Sequence, residues 1–154
     1  MLASAFIGFA IGAITATILS YWKIRHYKLL SKFRAFYWCL VKFIVVKQHG
    51  YDLGKELLKR DISTVAIYGM KELGEILLYE LKNGGVDVKY SIDREADSMY
   101  SEIEIYKPDD DLQSVDMIIV TVLIDNVDII NSLKERMKCK VITMNELLNY
   151  CDIK

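Results

Sequence analysis

The sequence predicts an α/β chain: an uncharged N-terminal helix, a basic and aromatic linking helix, then a five-stranded parallel sheet. Three observations carry this. Residues 1–22 hold no charged side chain. From Ser63 onward, short β-rich runs alternate with helical spacing. The charge also divides: residues 1–49 hold seven basic residues and no acid, whereas residues 50–154 hold 13 basic residues and all 21 acids. Segments of opposite charge usually do different jobs. The expected organisation is therefore a span at 1–22, linking helices at 23–60 and an α/β domain at 61–154.

The first element is MLASAFIGFAIGAITATILSYW. A bilayer core of about 30 Å takes roughly 20 apolar helical residues. Ser4, Thr15, Thr17 and Ser20 are tolerable there, because their hydroxyls can bond back to helix carbonyls. Tyr21 and Trp22 stand where an interfacial aromatic belt begins. Lys23, Arg25, Lys28, Lys32 and Arg34 follow. Cations beside a span stay on the cytoplasmic side, which predicts a single-pass protein of the cell membrane with residues 23–154 in the cytoplasm. The same cations would feel anionic headgroups, at about 1 kcal/mol each near the surface. A cleaved leader wants a positive residue before its apolar region, and the first here is Lys23. Ser4, Gly8, Gly12, Ala16 and Ser20 recur every fourth position. Such a stripe lets two helices approach closely in lipid, so a homodimer through the Gly8/Gly12 face is one expectation. Chance occurrence of the pattern is the other.

The linking helix shows apolar spacing of three and four at Leu29, Leu30, Phe33, Phe36, Tyr37, Leu40, Val41 and Ile44, and Gly50 is its expected stop. A second short helix, 51–60, leads into the sheet. Cations interleaved with aromatics can mark nucleic-acid binding, but beside a span an anchor flank explains them, so no nucleic acid is expected.

The sheet begins with a strand at Val65–Tyr68 and a glycine turn, followed by a helix over 73–81. A second strand, 86–92, ends at Asp93, and a weak strand lies near Ile103–Tyr106. Residues 116–123, DMIIVTVL, read as a buried strand because they are apolar almost throughout. Asp125 is the expected cap of a helix to about Lys138. A last strand at 140–143 and a helix capped by Asn145 close the domain. Strands alternating with helices imply a parallel sheet, here in the order 3-2-1-4-5.

In that order the ligand crevice lies at the carboxyl ends of strands one and four. Those ends carry Gly69-Met70-Lys71-Glu72-Leu73-Gly74 and Thr121–Asp125. A dinucleotide fingerprint is G-x-G-x-x-G with an acid about 20 residues on. Gly69 and Gly74 fit the first and third glycines, and Asp93 fits the ribose-binding acid. The second position is Lys71, whose side chain fills the space of closest pyrophosphate approach while offering a cation. The candidate cofactor-binding residues are therefore Gly69, Met70, Lys71, Gly74, Asp93 and Thr121. The ligand would be NAD(P) or a nucleotide-sugar. A structural βαβ turn that keeps its glycines for geometry is the competing possibility.

IYGMKELGEILLYEL, VKYSIDRE and VDMIIVTVL together resemble a family of bacterial Rossmann-like accessory domains found in proteins that make cell-surface polysaccharides. The resemblance covers roughly residues 36–150. It implies a nucleotide-type fold and an envelope-polysaccharide context, in which a polysaccharide-biosynthesis enzyme is one expected partner. Where the family has its middle glycine, this chain has Lys71. A more distant likeness is to the nucleotide-sensing domains of bacterial potassium channels.

No catalytic set is expected. Tyr51 and Lys55 match Y-x-x-x-K but precede the first strand, where they could not reach a nicotinamide. His26 and His49 lack partners at zinc spacing. Asp109-Asp110-Asp111 reads as a capped, solvated helix start rather than a magnesium site. Cys39, Cys139 and Cys151 show no CxxC pairing, and Cys39 reads as packing. The expected function is a non-catalytic, membrane-anchored domain that binds a partner enzyme or a nucleotide. The alternative is an NAD(P)-dependent oxidoreductase or sugar-nucleotide epimerase component, with its substrate lobe on another chain.

Overall fold

The computed structural model describes residues 2–151, and the exposure of Gly12 and of residues 14–151. The chain divides into two compact units, Met1–Tyr37 and Trp38–Lys154. A single helix, α1 (Leu2–Gln48), runs through both the expected span and the linking helix. Its length follows from composition: between Gly12 and Gly50 there is neither glycine nor proline to interrupt it. Thr15, Thr17 and Ser31 return their hydroxyls to the carbonyls of Gly12, Ile14 and Lys28, at 2.8–2.9 Å.

Among the described residues no helix is long and apolar enough to cross a membrane. The transmembrane helix expected at 1–22 is therefore not found among them. An 18-residue stretch beginning at Gly12 already takes in Lys23, Arg25 and Lys28. The side chains of residues 1–11 and 13, including Ser4 and Gly8 of the small-residue stripe, lie outside the described residues.

In the second unit, α1 buries Cys39 and Val46. Lys42 donates to the Asn149 side chain, and Lys47 pairs with Glu80 at 2.6 Å. α1 stops before Gly50, and α2 (Leu53–Leu58) follows, capped by the Asp52 carboxylate, which accepts from the Lys55 N–H. The buried carboxylate of Glu80 also accepts the Leu53 N–H at 3.2 Å. The Glu80 side chain thus fixes both preceding helices.

The sheet consists of β1 (Thr64–Tyr68), β2 (Asp87–Ile92), β3 (Ile105–Tyr106), β4 (Met117–Val120) and β5 (Lys140–Thr143). All pairings are parallel, in the order β3-β2-β1-β4-β5. This Rossmann-like α/β sheet matches the expected topology. Helices α3 (Glu72–Asn83), α4 (Val127–Arg136) and α5 (Met144–Leu148) connect and flank it. Alternate residues Ala66, Tyr68, Tyr90, Ile92, Ile118, Val120 and Val141 form one packed face with Leu133 of α4, as the two-residue period of strands requires. All four residues of β4 are buried, which is why its sequence shows no alternation.

Three local expectations are corrected. Helix α4 has Asn126, not Asp125, at its N-cap, and Asp125 instead turns the chain with φ of 55°. Helix α5 is capped by Thr143 rather than Asn145. Thr143 and Glu146 bond reciprocally, so the cap lies at the last residue of β5, where the capping box closes without a loop. Asp109–Asp111 starts no helix. The Lys107 N–H donates to the Asp110 carboxylate at 2.7 Å, and Arg136 donates to the carbonyls of Pro108 and Asp110. A guanidinium from α4, distant in sequence, thus holds this segment as a turn.

Candidate functional site

All six candidate residues meet at the carboxyl end of β1. The chain leaves β1 at Gly69, whose φ of 94° is a left-handed conformation that suits glycine. A Cβ there would lie 2.6 Å from Thr121 Oγ1. At Gly74 a Cβ would overlap the Gly69 carbonyl oxygen. The first and third fingerprint glycines therefore have the geometric roles their spacing implies: a tight turn, and close seating of α3 on it.

The remaining groups close the turn from within. The Asp93 carboxylate, only 8% exposed, accepts the Met70 N–H at 2.9 Å and the Glu95 N–H at 3.0 Å. Thr121, at the end of β4, donates its hydroxyl toward the carbonyls of Gly69 and Tyr68, at 2.6 and 3.1 Å. Met70 is buried, with its sulfur against the position a Gly74 Cβ would take. The expected crevice between β1 and β4 is thus bridged by Thr121, and the expected ribose acceptor braces the loop.

Lys71 stands at the N-cap of α3 and makes no side-chain cap bond. Its ammonium instead pairs with Glu95 at 3.1 Å, both side chains being mostly exposed. The hydrogen bond to Glu95, reinforced by the charges of Glu95, Asp93 and Glu72, raises the Lys71 pKa above the ordinary lysine value. The residue that replaces the middle glycine is therefore a cation with its own counter-ion.

Glu95 is the site residue that motif reasoning missed. The available signal was its place two residues after Asp93, the spacing at which an Asp side chain accepts a backbone N–H. Away from the turn, Asp116 at the opposite end of β4 accepts the N–H groups of Ser63 and Thr64 and the Ser63 hydroxyl, at 2.8–3.1 Å. These bonds lower its pKa to about 2. Burial pushes the Cys39 thiol up to about 11, so this cysteine is an unreactive packing group. Among the described residues no group of three or more His, Cys, Asp or Glu side chains is placed to hold a metal ion.

Comparisons with protein-family models, with curated proteins and with solved structures find no match to this chain.

Proposed function

We propose that this chain is a non-catalytic, membrane-anchored Rossmann-like domain that docks a partner enzyme, with residues 23–154 in the cytoplasm. The observation that carries it is the internal closure of the glycine turn. Asp93 is committed to two backbone N–H groups, and Lys71 to Glu95. A nucleotide would have to compete with both. The anchor reading is supported by the uncharged run 1–22 and the cations that follow it. The setting, bacterial envelope polysaccharide synthesis, comes from the resemblance in the sequence.

The test is calorimetric titration of the full chain with NAD, NADP, ATP and UDP-sugars. No heat at micromolar concentrations is expected. Micromolar binding that weakens in Lys71→Ala would sink the docking reading and favour a nucleotide site. That second reading draws on the exposed Lys71 ammonium at the N-terminus of α3. NAD(P)-dependent turnover once a partner chain is added would favour the enzyme-component reading instead.

A further inference from the structure

We propose that one face of α1, formed by Tyr21, Arg25, Lys28 and Lys32, seats the phosphates of anionic phospholipids. This rests on the membrane reading above and adds to it the chemistry of the lipid.

The four residues recur at i, i+4, i+7 and i+11, so they share one side of the helix. With Ile24 and Leu29 they line one open depression. All six are exposed. None of the three cations has a carboxylate partner among the described residues. In the α/β unit Lys47, Lys59, Lys71, Lys82, Lys89 and Lys107 each pair with an acid of the chain itself, whereas Arg94, Lys134 and Lys138 form no ion pair among the described residues but do not stand together on a run free of acids. The first acid in the sequence is Asp52, 20 residues beyond Lys32. These cations therefore present uncompensated charge.

An arginine fork suits a phosphate bidentately, and two lysines add point charges beside it. The neighbours decide which phosphate. Ile18, Leu19, Trp22, Ile24 and Leu29 are all more than half exposed. A polyanion in water would leave those side chains wet, whereas a headgroup layer covers cations and apolar side chains together. Charge and apolarity on one short segment point to a lipid surface.

The chain's two tryptophans, Trp22 and Trp38, allow a direct test. In full-length Trp38→Phe protein, Trp22 emission reports the lipid beside the segment. The protein is placed in mixed phosphatidylcholine/phosphatidylglycerol vesicles, with bromine on one lipid or the other. At equal mole fractions, brominated phosphatidylglycerol should quench about twofold more strongly than brominated phosphatidylcholine. Added salt should erase that preference. It should also vanish in Arg25→Gln/Lys28→Gln/Lys32→Gln. Equal quenching by both lipids overturns the headgroup seat while leaving attachment intact. A preference that survives in the triple variant overturns its assignment to this face. No quenching by either lipid overturns attachment itself. Loss of the preference on adding inorganic phosphate, but not sodium chloride of equal ionic strength, would reassign the seat to free phosphate. Retardation of RNA in the absence of any lipid preference would reassign it to nucleic acid.

Discussion

Residues 14–33 of α1 and the strands of the sheet are both rich in apolar residues, yet they stand in opposite relation to water. In β4, Met117, Ile118, Ile119 and Val120 are all inaccessible. Along α1, Ile18, Leu19, Trp22 and Phe33 are more than half exposed. Burial at roughly 25 cal/mol per Å² accounts for the first arrangement from within the chain. It supplies nothing for the second. Apolarity therefore has two uses here: in the sheet it makes a fold, and on α1 it is available to a surface outside the chain. The ion pairs differ too: several cations of the sheet unit, Lys47, Lys59, Lys71 and Lys82 among them, pair with carboxylates, whereas none of those at 23–34 does among the described residues.

The contrast is most strongly tested by removing equal side chains from each region. Leu77 on α3 is fully buried, and Leu77→Ala should cost about 2–5 kcal/mol in denaturant unfolding, through lost transfer energy plus a cavity. A cost near zero would mean that α3 is not part of the core.

Glu80 comes next, because it joins α1 and α2 to α3. Glu80→Ala leaves the Leu53 N–H without its acceptor, and the expected loss is about 1–3 kcal/mol. Glu80→Gln keeps a carbonyl for that N–H but loses the charge facing Lys47, so it should lose less. If the two variants were equally unstable, the ion pair rather than the backbone bond would be the principal contact.

A smaller effect is expected at Asp116. Its folded pKa is depressed to about 2 from 3.8 by bonds to Thr64 and Ser63. The stability it contributes is present above about pH 4 and is lost as pH falls toward 2, because the unfolded chain takes up the proton first. Thermal melts between pH 4 and pH 2 should show a shallower decline for Asp116→Asn than for the parent. Parallel declines would contradict the bonds at the start of β1 and β4.

The smallest effect sharpens the comparison from the other side. Leu30 on α1 is 56% exposed, and Leu30→Ala should change the unfolding free energy of the lipid-free protein by less than about 0.5 kcal/mol. A loss as large as that at Leu77 would show that this part of α1 is buried by something in the lipid-free sample, such as a second copy.

The candidate site was partly legible for specific reasons. Gly69 and Gly74 could be placed because a left-handed turn and a close helix approach leave few other residue types. Their spacing after a β-rich run is a local property. Asp93 was found by its distance along the chain, but its partners were not. The Met70 N–H reaches it across 23 residues, and no periodicity encodes that. Lys71 could be read as a departure from the fingerprint. That Glu95 would neutralise it depends on how the β2 loop folds back.

By itself, the sequence determined the strands, their order and the helix spacing, because these follow from short-range patterns of apolar residues and breakers. It also determined the charge division, whereas the merging of the expected span and linking helix into one α1 is a finding of the structure. The tertiary structure alone decided where the polar groups spend their hydrogen bonds. Arg136 reaches across 26 and 28 residues to hold the triple-aspartate turn. Asp93 and Thr121 close the glycine turn from two different strands. The physical reason is directional. Burial of apolar surface is additive and indifferent to orientation, so a pattern along the chain suffices to forecast it. A hydrogen bond needs a partner at about 3 Å and a suitable angle, and only the assembled fold supplies both.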